Sequence, residues 1–241
     1  MNLAIDIGNT RTKWGLFEGG TLVEASTEKP LPKAERYERA IVCASGKVEK
    51  AVVNSIGKTI VWMERGTSVP IDVSEYGTGL GADRIAAAVG ACKVSDGVGA
   101  IVVDAGTCIT IDYVGKKKEG VKRWVFEGGV ILPGIAMRYA AMHSYTDKLP
   151  MLTFDKKNAR VRWGRNTEEC MRAGVEEATR YEVWGFTERI AKEKGCGKVV
   201  CTGGMGEWMA EVLREGNGME VEYRPHLVLE GLNEIIEQYG Q

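Results

Sequence analysis

An apolar run over residues 2–7 ends in Asp6-Ile7, Gly8-Asn9-Thr10 supplies turn chemistry, and residues 11–17 resume with Trp14, Leu16 and Phe17 before Glu18-Gly19-Gly20 turns the chain again. This alternation predicts a β-hairpin leading into a third strand. The same grammar returns at residues 100–115: an apolar run to Asp104, the turn Ala105-Gly106-Thr107, a second run over 109–114, then Gly115. Each half thus begins with Asp-x-Gly followed closely by a hydroxyl residue. The recurrence reads as an internal duplication with a seam near Gly97-Val98-Gly99, giving lobes over residues 1–97 and 98–241.

Between the hairpins the pattern predicts short strands over 41–43 and 69–73 and an alanine-rich helix over 84–93 introduced by Gly81-Ala82-Asp83. After Pro133-Gly134 a helix is expected over 135–143. A longer one follows Asn166, where Asn166 and Glu169 have capping-box spacing and Met171, Gly174, Val175, Ala178, Tyr181 and Gly185 form a stripe. A buried strand over 198–201, the turn Thr202-Gly203-Gly204, and helices over 207–214 and 227–239 complete the chain. Hairpins followed by alternating helices and strands, done twice, predict an α/β fold of two lobes with a cleft between them.

Composition narrows the chemistry. Of 241 residues 44% are hydrophobic and 27% charged, a globular balance, and no apolar stretch approaches the roughly 20 residues that span a bilayer. Asp6 interrupts the first apolar run before it could serve as a signal-peptide core, so a cytosolic location is expected. Six scattered cysteines without a C-x-x-C pair read as reduced core thiols, and His143 and His226 lie in no zinc or triad motif. With 32 basic and 33 acidic side chains nothing draws the chain to nucleic acid or to an anionic membrane. The basic run Lys116-Lys117-Lys118 reads as a solvated hairpin loop.

Candidate chemistry falls at three acids. Asp6 sits where a strand meets a glycine turn, so its carboxylate should project beside the backbone amides of residues 8–10, with Thr10 adding a hydroxyl. An acid there opposes a bare phosphate but suits a phosphate accompanied by a cation. Asp104 with Gly106 and Thr107 repeats the arrangement; either turn alone reads first as ordinary hairpin chemistry, and the recurrence in both halves reverses that in favour of a phosphate and cation site. Asp83 is either the N-cap of its helix or a general base held at a helix N-terminus, where the dipole favours negative charge. Arg84 either pairs with a substrate carboxylate or decorates the first turn. Gly77-Thr78-Gly79-Leu80-Gly81-Ala82 matches G-x-G-x-x-[GA], with Asp104 22 positions further on, but Ser74-Glu75-Tyr76 interrupts the apolar strand a dinucleotide fingerprint needs. No P-loop sequence is present.

With these residues in view the chain resembles the type III pantothenate kinases, members of the actin, sugar-kinase and Hsp70 superfamily of duplicated ribonuclease H-like folds. Asp6-Ile7-Gly8-Asn9-Thr10 with Lys13 is similar to that family's first phosphate motif, Gly81-Ala82-Asp83-Arg84 to its pantothenate motif, and Asp104-Ala105-Gly106-Thr107-Cys108-Ile109-Thr110 to its second phosphate motif. Gly128-Gly129-Val130-Ile131-Leu132-Pro133-Gly134, Lys148-Leu149-Pro150, Gly164-Arg165-Asn166-Thr167 and Thr202-Gly203-Gly204 resemble later landmarks in the same order.

The resemblance implies that Asp6, Ile7, Gly8, Asn9, Thr10, Arg11, Thr12 and Lys13 line the phosphates of ATP and that Thr107 also touches ATP; with a magnesium ion present, Asp6 and Asp104 are expected to organise the cations. It implies that Asp83 accepts the proton, that Gly81, Ala82, Asp83 and Arg84 hold pantothenate, that Tyr76 covers it and that Thr167 reaches it. Asp104 would bind a monovalent cation, potassium or ammonium. A homodimer is implied as well, for which the stripe after Asn166 is an interface candidate. Two alternatives stay open: a kinase or ATPase of the superfamily acting on another substrate, and a nucleotide-binding regulator without catalysis.

Overall fold

The structure is a computed structural model that describes every residue except 49–53, 55, 58, 65, 96, 118, 119, 121, 217, 240 and 241. Contacts divide the chain into two compact units, the first comprising Met1–Ala100, Asp112–Gly128 and His226–Gln241, the second Ile101–Ile111 and Gly129–Pro225. The seam read at residues 97–99 falls near the end of the first unit's opening segment; two later segments rejoin that unit.

Strands β1 (Asn2–Ile7), β2 (Thr12–Glu18), β3 (Thr21–Ser26), β4 (Arg39–Ala44) and β5 (Thr59–Trp62) form one sheet in the order β3-β2-β1-β4-β5. β1 runs antiparallel to β2 and parallel to β4. Alternation sorts its side chains. Leu3, Ile5 and Ile7 join Trp14, Leu16, Tyr37 and Val42 in a buried cluster on one face. Asn2 on the other face donates to Asn233 Oδ1 at 3.1 Å and to Glu237, so Ala4 and Asp6, which share its face, look to the helical side.

The helical side consists of α1 (Ala82–Val94), which meets β4, and a C-terminal helix (Leu227–Gln238), which packs on β1, β2 and β4 and against α1. Small residues set the crossing: Ala86, Ala87, Ala88, Gly90 and Ala91 of α1 are buried, and Gly231 opposes them. A Cβ at Gly231 would lie 1.8 Å from the Ala86 carbonyl oxygen, and one at Gly90 would lie 2.6 Å from that of Leu227, so the two backbones touch.

The second sheet contains β6 (Ile71–Asp72), β7 (Gly99–Ala105), β8 (Cys108–Lys116), β9 (Trp124–Pro133), β10 (Lys198–Thr202) and β11 (Glu220–Tyr223), in the order β11-β10-β7-β8-β9-β6. Replacing β1 to β5 by β7 to β11 in turn converts the first order into the second, with β6 added beyond β9. The duplication read from two hairpins therefore extends over five strands. Other strands carried weaker signals: the expected strand over 69–73 contracts to two residues, β9 was implied only as the far side of the loop at Lys116-Lys117-Lys118, and β5 and β11 were not anticipated.

Helices α2 (Ile135–Ser144), α3 (Thr167–Arg172), α4 (Ala178–Lys194) and α5 (Gly206–Arg214) belong to the second unit, and the C-terminal helix becomes α6. The capping box forms in part: Asn166 Oδ1 accepts from the Glu169 amide at 2.9 Å, while the Glu169 carboxylate reaches back to the Arg165 amide at 2.8 Å. A π-helical turn, Ala173–Glu177, joins α3 to α4. It adds a residue to the local turn, and the buried line runs through Met171, Val175, Thr179, Val183 and Thr187. The expected stripe is split: Met171 and Val175 are buried, while Gly174, Tyr181 and Gly185 are exposed.

Candidate active site

Asp6 occupies the penultimate position of β1, and backbone register puts Lys13 of β2 on one side of it and Cys43 of β4 on the other. The three side chains share the helix-bearing face. Asp6 is only 8% exposed, and the Cys43 thiol donates to its Oδ1 at 3.4 Å. Burial raises the Asp6 carboxyl above its ordinary value; Lys13 and Cys43 oppose the rise, and the negative charge of Asp83 adds to it. Burial and the same two acids push the Cys43 thiol up, which makes it a neutral donor. His226, immediately before α6, is held below its ordinary value by burial first and by Lys13, against the pull of Glu230. Asp6, Lys13, Cys43, Asp83 and His226 thus share one electrostatic neighbourhood within the first unit. Cys43 and His226 escaped the sequence reading because neither lies in a motif; only register and the start of α6 bring them here.

The turn after β1 departs from expectation in one respect. The Gly8 amide donates to the Arg11 carbonyl at 3.1 Å, closing the hairpin, so it is spent within the turn. Asn9, Thr10 and Arg11 are exposed at the tip, Gly8, Thr12 and Lys13 are half-buried, and Ile7 is buried. Gly46, after β4, donates to the Ile7 carbonyl at 3.0 Å, and a Cβ there would lie 2.3 Å from the Gly8 carbonyl oxygen.

The second unit repeats the device. The Gly106 amide donates to the Cys108 carbonyl at 2.9 Å, and the Met205 amide donates to the Ala105 carbonyl at 2.9 Å. Gly203 adopts φ +89°, and a Cβ there would lie 2.4 Å from Asp104 Oδ1 and 2.6 Å from the Ala105 carbonyl oxygen. Asp104 is half-buried, Thr107 exposed at its turn, and Thr167 exposed as the first residue of α3.

Asp83 is not the helix cap. Gly81 holds the N-cap position, and Asp83 stands in the first turn with its Oδ1 accepting the Arg84 amide at 2.9 Å. Gly81 and Ala82 are half-buried beside it. Arg84 does not merely decorate the first turn: it is 7% exposed, and its guanidinium bonds partners within the chain. Nε lies 3.0 Å from Asp112 Oδ2, Nη2 bonds Asp112 Oδ1, and Nη1 donates to the Tyr76 hydroxyl at 3.0 Å. Asp112, on β8, was missed because it reads as one polar position in an alternating strand. Of the basic run, Lys116 ends β8 with an exposed side chain, and Lys117 is half-buried and pairs with Asp72; Lys118 lies outside the described residues. The Gly77–Ala82 pattern follows a strand of two residues, which leaves it without the buried strand of a dinucleotide fold.

The site suits a divalent cation held jointly with phosphate. A buried carboxylate with a second acid nearby offers hard oxygen donors and accumulates unfavourable charge that a cation relieves. Among the described residues no group of three or more His, Cys, Asp or Glu could hold a metal alone.

One test follows from the sign of the Asp6 shift. A carboxyl raised in the fold contributes stability below the unfolded value near 3.8 and loses it as pH rises through the folded one. Asp6→Asn is therefore expected to raise the ligand-free Tm at pH 7, because it removes a buried charge that the fold disfavours. The gain should shrink towards pH 4 in thermal melts; a lower Tm at pH 7 contradicts the charge balance described.

A protein-family model, Type III pantothenate kinase, matches residues 43–189. The type III pantothenate kinase of Cytophaga hutchinsonii is 33% identical over 98% of both chains, and that of Porphyromonas gingivalis 30% over 98% of both. Among solved structures, a conserved putative Baf family transcriptional activator from Campylobacter jejuni aligns with TM-score 0.59 at 23% identity, covering 98% of each chain. A ROK family glucokinase from Streptomyces griseus, in complex with glucose and AMPPNP, aligns with TM-score 0.53 at 13% identity over 97% of this chain and 98% of that one. The structural likenesses establish the fold, the duplicated α/β actin-like architecture expected above.

Proposed function

This chain belongs to the type III pantothenate kinase family, and from that premise we propose which of its residues perform the family's reaction. The enzyme is an ATP-dependent phosphotransferase that converts pantothenate to 4'-phosphopantothenate, the entry to coenzyme A biosynthesis. Asp83 accepts the proton of the primary hydroxyl as that oxygen attacks the γ-phosphorus. Gly81, Ala82 and Tyr76 border the acceptor, and Thr167 contributes to binding it. Lys13 and the turn over residues 7–12 offset phosphate charge, Thr107 supplies a further contact to ATP, and little covalent work is left to the protein. Magnesium, held by Asp6 together with phosphate oxygens, supplies charge neutralisation when bound. Arg84, held by Asp112 and Tyr76, borders the acceptor with them.

The observation that carries this reading is the row Lys13, Asp6, Cys43 across three strands, with Asp83 near enough to perturb Asp6. We assign the monovalent cation to Asp104, whose Oδ1 and the Ala105 carbonyl both face Gly203 and offer oxygen donors. A homodimer is proposed on the exposed Gly174, Tyr181 and Gly185 of the helix after Asn166. The proposed location is the cytosol; among the described residues no helix is long and apolar enough to cross a membrane.

The test is ADP release by the purified protein, with magnesium and potassium or ammonium. ADP should form in proportion to added pantothenate. ADP formed at the same rate without pantothenate, or none with it, overturns the assignment.

A further inference from the structure

Among the described residues Asp112 and Arg84 form the most thoroughly buried ion pair, with side chains 2% and 8% exposed. A pair so placed costs desolvation, which only good geometry and further hydrogen bonds offset. Both are present. Asp112 accepts along the Nε and Nη2 edge of Arg84, and the remaining nitrogen, Nη1, donates to the Tyr76 hydroxyl. The guanidinium carbon also lies 5.3 Å from the Tyr76 ring centroid and 5.5 Å from that of Phe126, and the two rings meet edge to face at 5.5 Å. Arg84 is therefore fixed by an acid at one edge, a hydroxyl at the other and an aromatic ring on each of two neighbours.

The chemistry of the far end matters. A tyrosine hydroxyl has one hydrogen to give, and when a cationic N–H occupies its acceptor side that hydrogen turns away from the cation. Tyr76 is half-buried, eight residues before Arg84, beside the segment that opens α1. We propose that Asp112 is a positioning residue for the acceptor substrate: through Arg84 it holds Tyr76 as a fixed hydrogen-bond donor that selects a carboxylate or amide carbonyl oxygen. This deepens, and rests on, the assignment of pantothenate to the Tyr76 and Gly81–Arg84 region. It also accounts for an arginine in that motif whose fork faces inwards.

Asp112→Asn removes the charge that orients Arg84 while keeping size and one acceptor; Tyr76→Phe removes only the hydroxyl. Each should raise KM for pantothenate about tenfold, with a smaller change in kcat and KM for ATP within about threefold. The double variant should be no worse than either single one, because both break the same contact. Pantothenate titration calorimetry on the ligand-free proteins should show the matching loss of affinity. If Asp112→Asn fails to fold, Arg84→Lys, which keeps a cation against Asp112 but cannot also reach Tyr76, should give the same shift in KM. Additive effects, equal losses for ATP and pantothenate, or an unchanged Tyr76→Phe overturn the proposal. Absence of pantothenate binding by the unaltered chain overturns the underlying assignment too, whereas binding that Asp112→Asn leaves intact overturns this proposal alone.

Discussion

Asp83→Asn is expected to lower kcat by about 10²–10⁴-fold while leaving the fold intact, the range for removal of a positioned general base. The structure separates this outcome from loss of a cap. Gly81 occupies the N-cap, so Asp83 has no capping bond to lose, and its Oδ1 bond to the Arg84 amide survives in asparagine, which keeps that oxygen. Two smaller terms oppose each other. A first-turn carboxylate gains about 0.3–1 kcal/mol from the helix dipole, and its removal relieves the like charge on Asp6. The Tm should therefore move little, and KM for ATP should change less than kcat. The measurement is steady-state ADP release beside a thermal melt. Near-normal turnover with a normal Tm would strip Asp83 of its catalytic assignment and leave a first-turn acid with only a dipole role.

What the sequence discloses here is local. The Asp6 and Asp104 turns are legible because strand alternation, a glycine and a hydroxyl residue fall within a few positions, and their repetition marks a duplication whose strand orders agree. The bounds of α1 were less legible. Glycine and aspartate both serve helix starts, so Gly81-Ala82-Asp83 fits either as cap until backbone dihedrals decide for Gly81. Asp112 was hidden for a different reason: its partner stands 28 residues away, and a single acid inside Ile109-Thr110-Ile111-Asp112-Tyr113 looks like the polar phase of a strand. The buried line on the helix after Asn166 shifted because a π-helical turn changes the phase that a regular period assumes. Cys43 gave no sign, since a thiol in an apolar strand is ordinary core until register sets it against Asp6.

Gly231→Ala is expected to cost about 2–3 kcal/mol, although alanine is the better helix former. Elsewhere in a helix the exchange gains roughly 1 kcal/mol. At Gly231 the new methyl would stand 1.8 Å from the Ala86 carbonyl oxygen and 3.0 Å from the Gly90 amide nitrogen. Both obstacles are helix backbone, which cannot swing aside as a side chain can, so α1 and α6 must separate along a crossing built from small residues. For a chain of 241 residues the loss corresponds to roughly 5–10 °C in Tm. The strain also falls on function, because α1 carries Asp83 towards Asp6 and α6 places His226 near Lys13. Turnover of Gly231→Ala at a temperature where it remains folded should therefore drop as well. A Tm for Gly231→Ala at or above that of the unaltered enzyme would mean that the two backbones do not touch, and the placement of Asp83 by this crossing would go with it.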